Sequence, residues 1–366
     1  MSVRNDWHLK YRPFQLDDLI GQNSVVSTLK QASRIDRFAN SYFFVGTKGC
    51  GKTSSARILA NLLNCENVKD GKLCGECLAC KTIPSEVAMD VIELDGAANG
   101  KVEHISALID GASWSPTQLK RKVYIIDEAH RLTGSAVSAL LKITEDPPPY
   151  LTFIFCTTDP DKVIDTIPSR SQRFNFRRLL SKEIVGRLRM ISEKEKVNIT
   201  DEALFVLAQK SRGSMRDAVV ALEQIATLAG QKEINGKHAQ KYFGIADKQI
   251  VYLIVESMVN SNIPLIMDQV NDLVMSNVDA KEIAFEISEA FRNIMLLKAN
   301  NGNCSWLDLP EQEIELLKKN GEPVKLGQLD KMAKQFSTLR KELEFSINER
   351  WVLESTLLHC TALLRK

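Results

Sequence analysis

One eight-residue segment, GTKGCGKT at 46–53, constrains the fold of this chain more than any other feature. It matches the pattern G-x-x-x-x-G-K-[S/T], in which glycines let successive backbone N–H groups wrap a phosphate at a helix N-terminus. The segment follows the apolar run SYFFV and opens the helical pattern SSARILANLL, which is the context that the motif requires. The alternative is a glycine-rich turn without a ligand. The sequence therefore predicts a phosphate loop in an α/β domain.

The residues of this loop have distinct predicted roles in binding a nucleoside triphosphate. Lys52 is expected to reach the β- and γ-phosphates, and the Thr53 hydroxyl is expected to ligate Mg²⁺. Cys50 occupies a position that needs only a small side chain. The residues predicted to contact the nucleotide from this loop are Gly46, Thr47, Lys48, Gly49, Cys50, Gly51, Lys52, Thr53 and Ser54.

A second acidic motif, KVYIIDEAH at 122–130, is an apolar strand that ends in two carboxylates. Asp127 is predicted to complete the Mg²⁺ shell, and Glu128 is the candidate general base for an attacking water. An acidic strand end that simply meets solvent is the alternative. Because no motif for a phosphoryl acceptor is present, the Asp–Glu pair favours hydrolysis.

Short apolar runs and helical patterns alternate over the first ~175 residues, which is typical of a parallel sheet buried on both faces. The predicted strands lie at 41–45, 90–94, 123–127 and 151–156, and the predicted helices between them lie near 52–64, 101–113 and 134–145.

After about residue 180 the strand patterns stop and amphipathic helices follow. The predicted helices are 182–196, 201–211, 215–229, 247–259, 279–299, 325–345 and 348–364, with breaks at 235–238 and 302–310. A length of 366 residues allows two or three domains. We predict three: an α/β domain at 1–178, a small helical domain at 179–243 and a helical bundle at 244–366.

The charge balance excludes a polybasic protein that holds nucleic acid by bulk charge, since 48 Lys and Arg against 46 Asp and Glu leave a net charge of +2. A local basic patch is still compatible with this balance. No run approaches the about 18 apolar residues that a membrane span needs. The start, MSVRNDWHLKYRPF, has no apolar signal segment, so the expected location is cytoplasmic.

Four of the eight cysteines lie within sixteen residues, namely Cys65, Cys74, Cys77 and Cys80. Four thiolates at this spacing can close a tetrahedral Zn²⁺ site with no open position, so the predicted site is structural. A redox pair or an iron–sulfur cluster is the alternative. We expect the other cysteines outside the phosphate loop to be core residues: Cys156, Cys304 and Cys360.

The order of motifs along the chain resembles that of the gamma/tau subunits of the bacterial DNA polymerase III clamp loader, which are AAA+ ATPases. The motifs that carry the resemblance are KYRPFQLDDLIGQ (10–22), the phosphate loop, the four cysteines, DEAH (127–130), CTTDPDKV (156–163), IPSRSQRF (167–174) and GSMRDA (213–218). The resemblance implies an AAA+ parallel-sheet domain with a zinc module at 65–80, a helical lid domain and a C-terminal collar domain.

The resemblance also implies roles for residues around the nucleotide. Thr158 corresponds to the sensor-1 residue that detects the γ-phosphate, with Thr157 as the alternative register, or either is an ordinary strand-end threonine. Arg216 corresponds to the sensor-2 arginine, with a surface ion pair to Asp217 or Glu223 as the alternative. The segment that wraps the adenine, or else forms only a structural loop, is implied to include Tyr11, Arg12, Pro13, Ile20, Gly21 and Gln22.

Arg170 corresponds to an arginine finger that reaches the ATP of a neighbouring subunit. Ser171 replaces the cysteine of the family's S-R-C motif, and a basic edge formed by neighbouring arginines is the alternative. In the stretch that faces DNA in the family, Asn99 and Gly100 replace an arginine-containing segment, although Lys101 remains.

The implied function is ATP-driven loading of a sliding clamp onto primed DNA, with ATP, Mg²⁺ and Zn²⁺ as cofactors. The implied partners are further gamma/tau copies, delta, delta-prime, the clamp and primed DNA, in a hetero-oligomeric ring that we expect to be a pentamer. No further carboxylate set predicts a polymerase site. The alternatives are an inert delta-prime-like scaffold, which need not keep Lys52 and Glu128, and another AAA+ remodelling ATPase, which lacks the four-cysteine insertion.

Overall fold

The computed structural model describes residues 6–100, 102–230, 232–302, 307 and 309–365. They form two compact units. The first comprises the described residues of Met1–Lys196 together with Ser211–Gln224, and the second comprises Val197–Lys210 with the described residues of Ile225–Lys366. None of the described helices is both long enough and apolar enough to cross a membrane.

The first unit is built on a five-stranded parallel sheet in the order β2-β3-β4-β1-β5. Since all strands are parallel, their carboxyl ends lie along one edge, and β1 leads into the phosphate loop between β4 and β5. This confirms the predicted α/β class. The strands are β1 Ser41–Gly46, β2 Val91–Asp95, β3 Lys122–Asp127, β4 Leu151–Thr157 and β5 Gln172–Phe176.

Nine α-helices and three short 3-10 helices of the described residues accompany this sheet. Two of the predicted helices, α3 and α7, have the bounds expected from their apolar spacing. The nine are α1 Trp7–Lys10, α2 Asn23–Arg34, α3 Lys52–Asn64, α4 Leu78–Thr82, α5 Gly96–Asn99, α6 Val102–Ala112, α7 Gly134–Glu145, α8 Thr166–Ser169 and α9 Ser181–Lys194.

Both faces of the sheet are covered by apolar packing, as the continuous apolar strands predict. Successive residues of β1 show this directly: Phe44 belongs to the core on the α3 face, and Phe43 belongs to the core on the α6 and α7 face. Both side chains are fully buried. The two cores hold the carboxyl edge of the sheet, and therefore the loops that follow it, in a fixed arrangement.

Strand β5 was not predicted, because only alternate residues of QRFNF are apolar. Phe174 and Phe176 are buried, whereas Arg173 and Asn175 are exposed. This alternation is typical of an edge strand with one face on the core.

The second unit is helical and has a continuous apolar core that runs from Ala246 to Cys360. Its centre is α15 (Ala280–Ala299), which packs along α17 (Leu326–Leu343) with the rings of Phe291 and Phe336 stacked at 6.1 Å. Cys360 is buried there as predicted, and Cys304 lies outside the described residues. The helices, of which α11 belongs to both units, are α10 Asp201–Lys210, α11 Met215–Ala229, α12 Gly236–Phe243, α13 Lys248–Val259, α14 Ile263–Met275, α15 Ala280–Ala299, α16 Glu311–Gly321, α17 Leu326–Leu343 and α18 Glu349–Leu364.

Candidate functional site

The phosphate loop has the backbone geometry that its glycines predict. Gly49 and Gly51 have φ angles of +72° and +104°, a region that residues with a Cβ rarely adopt. A Cβ on Gly46 would lie 2.5 Å from the carbonyl oxygen of Phe176 in β5. The loop is therefore closely packed, and it opens the N-terminus of α3, where free N–H groups and the helix dipole favour an anion.

The side chains of Lys52 and Thr53 donate hydrogen bonds to oxygen atoms of the protein. A bound magnesium triphosphate could replace these acceptors. The buried Lys52 ammonium donates to the carbonyl oxygens of Gly46 at 2.9 Å and Thr47 at 3.0 Å. The Thr53 hydroxyl donates to Asp127 Oδ2 at 2.6 Å, and these two hard oxygen ligands suit Mg²⁺. The Thr47 hydroxyl is buried without a hydrogen-bond partner inside the loop. The residues of the phosphate loop and Asp127 therefore fit both a triphosphate and Mg²⁺.

Glu128 follows Asp127 directly at the carboxyl end of β3. Its φ angle is +49°, and its N–H donates to Asp127 Oδ1 at 2.9 Å. The Thr158 hydroxyl, just beyond β4, donates to Glu128 Oε2 at 3.1 Å. The predicted base and the predicted sensor are thus in direct contact, and the sensor role itself stays a prediction.

A cleft lies beside the phosphate loop in the first unit. Its empty volume is about 1120 Å³, part of which is open to solvent. Its wall brings together the loop, the predicted adenine segment, the two carboxylates and Arg216. The residues that line it are His8, Tyr11, Arg12, Pro13, Asp18, Leu19, Ile20, Lys48, Gly49, Cys50, Gly51, Lys52, Thr53, Ser54, Asp127, Glu128, Leu179, Arg187, Met215, Arg216 and Val219.

Seven residues of this wall were not predicted. Asp18 and Leu19 lie inside the motif at 10–22 and Met215 lies inside GSMRDA, but neither motif predicts a role for them. The other four lie outside the motifs. Arg187 of α9 is the most informative, because it donates to the carbonyl oxygen of Tyr11 at 2.9 Å and so fixes the predicted adenine segment. The seven are His8, Asp18, Leu19, Leu179, Arg187, Met215 and Val219.

The adenine segment is held by charged groups. The Tyr11 hydroxyl donates to the Glu195 carboxylate, and burial together with this carboxylate raises the pKa of Tyr11. Burial and the neighbouring Arg57 lower the pKa of Arg12. Both side chains line the cleft, which is compatible with their predicted place beside a nucleotide.

Gln22 has a different position from the one that its motif predicts. Its side chain is buried, and its amide nitrogen donates to the carbonyl oxygens of Cys50 at 3.2 Å and Arg177 at 2.9 Å. Its amide oxygen accepts from the Arg177 N–H at 3.2 Å. Gln22 therefore connects the phosphate loop to the segment after β5 and does not line the cleft.

The GSMRDA segment packs directly on the phosphate loop. The Met215 N–H donates to the carbonyl oxygen of Gly49 at 3.0 Å, and a Cβ on Gly49 would lie 1.9 Å from Ser214 Oγ. This contact brings Arg216 to the cleft wall. Glu223, one of the alternative ion-pair partners considered for Arg216, accepts a hydrogen bond from the Trp7 N–H at 3.1 Å.

Arg170 lies away from the cleft of its own chain, at the end of α8. Its side chain is 39% exposed and pairs with Glu145 at 2.8 Å. Ser171, which departs from the family pattern, shares a hydrogen bond of 2.7 Å with Ser41 at the start of β1. The serine therefore has a structural partner, and Arg170 does not belong to the cleft wall, so its role towards a neighbouring subunit stays a prediction.

The four clustered cysteines converge at the C-terminal end of α3. Their Sγ–Sγ distances include 3.6 Å for Cys65–Cys74, 3.7 Å for Cys65–Cys80 and 3.9 Å for Cys74–Cys80. A tetrahedral Zn²⁺ with bonds of about 2.3 Å places its sulfurs about 3.8 Å apart, and a disulfide needs about 2.05 Å. These residues fit a structural zinc ion.

The environments of the four thiols differ. The N–H groups of Glu76 and Cys77 lower the pKa of Cys74 to about 6, and burial raises the pKa values of Cys65 and Cys80. A bound cation would stabilise all four thiolates together.

The basic run KRK at 120–122 has structural contacts. Lys122 donates to the carbonyl oxygens of Gly111 at 2.8 Å and Trp114 at 3.0 Å, and Lys120 donates to that of Cys65 at 3.1 Å. Gly100 is closely packed, since a Cβ there would lie 2.3 Å from the Gly96 carbonyl oxygen. The predicted DNA-facing stretch also includes Asn99 and Lys101. Neither Lys101 nor the side chain of Asn99 belongs to the part of the chain that the structure describes.

Three family models match successive parts of the chain. They are described as "DNA polymerase III, delta subunit" at 21–180, "DNA polymerase III clamp loader subunit, ATPase lid domain" at 183–231 and "DNA polymerase III subunits gamma and tau domain III" at 234–365. The DNA polymerase III subunit gamma of Buchnera aphidicola is 30% identical over 359 residues, which cover 98% of each chain. The chain belongs to the gamma/tau family of DNA polymerase III subunits.

Other members of the gamma/tau family are longer than this chain. The tau subunit of Bacillus subtilis is 35% identical over 292 residues, covering 80% of this chain and 52% of that protein. The gamma/tau subunit of Mycobacterium tuberculosis is 31% identical over 349 residues, covering 94% and 60%. A RuvB variant from Thermotoga maritima has a TM-score of 0.50 at 21% identity, covering 74% and 86%, and this likeness supports the AAA+ fold.

Proposed function

We propose that this gamma/tau family chain is the ATP-hydrolysing motor subunit of a clamp loader. The observation that carries the proposal is the convergence of Lys52, Thr53, Asp127 and Glu128 at one edge of the sheet, in the wall of one cleft. Such a set supports cleavage of a phosphoanhydride, because it combines a phosphate cradle, a metal ligand pair and a base.

Each residue has a defined task in this reaction. Lys52 binds the β- and γ-phosphate oxygens in place of the loop carbonyls, and Thr53 and Asp127 provide the ligands for Mg²⁺. Bound Mg²⁺ neutralises charge on the same phosphate oxygens. Glu128 accepts a proton from the water whose oxygen attacks the γ-phosphorus, while the bond to the leaving ADP oxygen breaks. The products are ADP and inorganic phosphate.

Two variants test this assignment. Glu128→Gln should retain ATP binding but lower kcat by on the order of 10²-fold or more, since the amide cannot accept the proton. Lys52→Ala should lower affinity for ATP. The exposed Asp268→Asn is the matched control and should leave both quantities unchanged. If the assembled wild-type loader does not hydrolyse ATP through this chain, the subunit is an inert scaffold and the proposal is wrong.

We infer that Arg170 acts on the nucleotide of a neighbouring subunit. Its exposure and its absence from the cleft wall support this role. Arg170→Ala should leave ATP binding by the chain intact and reduce turnover stimulated by clamp and primed DNA. Unchanged turnover in the assembled complex would contradict the assignment.

We further propose three domains at 1–178, 179–243 and 244–366, with the last forming the collar of a hetero-oligomeric ring, expected to be a pentamer. The three family matches and the separate apolar core of the last segment support this division. The proposed partners are other gamma/tau copies, delta, delta-prime, the sliding clamp and primed DNA.

An exposed apolar group formed by the segment after α17 and the first turn of α18 supports association through the collar. Phe345, Ile347 and Trp351 are 88%, 107% and 64% exposed. Ile347→Glu should weaken assembly measured by native mass spectrometry, whereas Met275→Glu, at another exposed apolar position of 75% exposure, should not. Equal effects of the two changes would remove this surface from the interface.

A further inference from the structure

His130 lies close to the proposed base, yet the mechanism above gives it no task. Its side chain is only 9% exposed. Its Nδ1 lies 3.0 Å from the Thr157 hydroxyl and 3.4 Å from Glu128 Oε2. Thr157 is fully buried at the end of β4, so the imidazole lies between the turn that carries Glu128 and the neighbouring strand.

The neighbours of Nδ1 determine where the imidazole proton lies. The Thr157 hydroxyl donates to the Asp159 carbonyl oxygen at 3.2 Å and accepts from the Asp159 N–H at 3.1 Å. With its proton directed to the Asp159 carbonyl oxygen, the hydroxyl is an acceptor for His130. The Glu128 carboxylate also only accepts. Both neighbours are satisfied only if Nδ1 carries the hydrogen, which fixes the tautomer of the neutral ring.

Glu128 needs external support to hold one orientation. Its backbone has a φ of +49°, which costs about 1–2 kcal/mol for a residue with a Cβ, and its side chain is 34% exposed. The Thr158 hydroxyl and the His130 Nδ1–H both approach Oε2. With Oε2 held in this way, the other carboxylate oxygen is left to take a proton from water.

We propose that His130 is a positioning residue for the Glu128 carboxylate. Its Nδ1–H donates to the buried Thr157 hydroxyl at 3.0 Å, and this bond keeps the ring 3.4 Å from Oε2, so that the ring restricts the position of the carboxylate relative to β4. The proposal rests on the proposed function of Glu128 as general base. It predicts an effect on the chemical step and none on nucleotide binding, because His130 does not line the cleft.

Three substitutions in the full chain, assembled with its partner subunits, test the proposal. His130→Asn places an amide N–H close to the position of Nδ1, whereas His130→Gln carries it one carbon further, near the position of Nε2. His130→Ala removes the donor. We expect kcat to fall about tenfold in the Ala and Gln variants and to recover to within about threefold of wild type in the Asn variant. KM and the Kd of a fluorescent ATP analogue should not change.

Several results would overturn this role. Unchanged kcat in His130→Ala, equal losses in the Asn and Gln variants, or a loss confined to KM would each do so. If His130→Ala has a lowered melting temperature, its loss of kcat does not test the role. The kcat of His130→Asn compared with that of His130→Gln then tests it, because both side chains carry the same amide. Glu128→Gln separates the two proposals: if it retains turnover, the base assignment fails, whereas an inactive Glu128→Gln beside a fully active His130→Ala removes only the role of His130.

Discussion

At the scale of single residues, Gly49 shows how closely the phosphate loop is specified. Its φ is +72°, and a Cβ at this position would lie 1.9 Å from Ser214 Oγ, so a larger residue requires movement of the loop. Gly49→Ala should lower the free energy of unfolding by about 2 kcal/mol or more and weaken ATP binding at least tenfold. Urea unfolding and nucleotide titration would measure both effects.

Gly134 provides the matched control for this substitution. It begins α7, and a Cβ there would meet no atom within 4 Å. Gly134→Ala should therefore change stability by no more than about 0.5 kcal/mol and leave ATP binding intact. Similar losses in the two variants would mean that the contact with Ser214 does not determine the requirement for glycine.

Asp90 is a buried carboxylate whose task is structural. It accepts from the N–H groups of Thr117, Gln118 and Leu119 at 2.9, 2.7 and 2.9 Å. Burial alone would raise the pKa of Asp90, but these donors hold it below its usual value. Asp90→Asn replaces an acceptor with an N–H donor, and should cost about 2 kcal/mol of stability at neutral pH.

The pH dependence of this cost has a definite sign. Because the folded-state pKa of Asp90 is lowered, its contribution is complete above the unfolded-state value near 3.8 and is lost as pH falls through the lower folded-state value. The difference in unfolding free energy between wild type and Asp90→Asn should therefore shrink below about pH 4. A difference that grows on acidification would contradict the argument.

Residues whose chemistry depends on local spacing could be predicted, and residues whose role depends on packing could not. Lys52, Thr53 and Asp127 meet as expected, because a loop and an adjacent strand end must share one edge of a parallel sheet. Gln22 belongs to the motif predicted to wrap the adenine, but its buried amide instead donates to the carbonyl oxygens of Cys50 in the phosphate loop and Arg177. His130 is one of five histidines in the sequence, and only its contacts with Thr157 and Glu128 give it a task.

At the scale of elements, the four-cysteine module is connected to the wall of the cleft. Gln15 makes both hydrogen bonds of its amide to the backbone of Leu73, at 2.9 and 3.0 Å, directly before Cys74. We expect one zinc per chain, and Cys74→Ser should lose it. Without zinc, amide exchange should accelerate at 65–80 and also at 11–22, because the Gln15 contact loses its fixed partner.

The readouts for this prediction are zinc content and hydrogen exchange. Cys360→Ser, in the helical core, should keep its zinc and unchanged exchange at 11–22. If Cys74→Ser loses zinc while the exchange at 11–22 stays slow, the module and the adenine segment are independent.

Helices and strands with a continuous apolar face could be predicted with their bounds, and elements that are only partly apolar could not. The bounds of α3 and α7 follow from continuous apolar faces and from strong breaks on either side. Strand β5 is not predicted from the sequence, because its exposed face is charged and polar. The chain from about 245 onward is predicted to be helical apart from the loop at 302–310, but the bounds of α14 and α16 are not, since only part of each helix is buried: in α16, the buried residues are Leu317, Asn320 and Gly321.

At the scale of the whole molecule, two divisions of the chain make different predictions. The compact units join 197–210 and 225–243 to the helical bundle, whereas the proposed domains separate residues up to 243 from 244–366. The apolar core from Ala246 to Cys360 lies wholly inside 244–366. A segment with its own complete core should fold without the rest of the chain.

We therefore expect a fragment of residues 244–366 to fold cooperatively on its own, with a helical circular dichroism spectrum and an unfolding free energy of about 5 kcal/mol or more. Leu339→Ala, at a fully buried position of α17, should lower that free energy by about 3 kcal/mol, and Met275→Ala, at an exposed one, by less than about 0.5 kcal/mol. If 244–366 is unfolded while 197–366 folds, the lid helices are part of the bundle's folding unit. In that case the three-domain division would be wrong, and nucleotide-driven motion of the lid would be transmitted to the collar as one body.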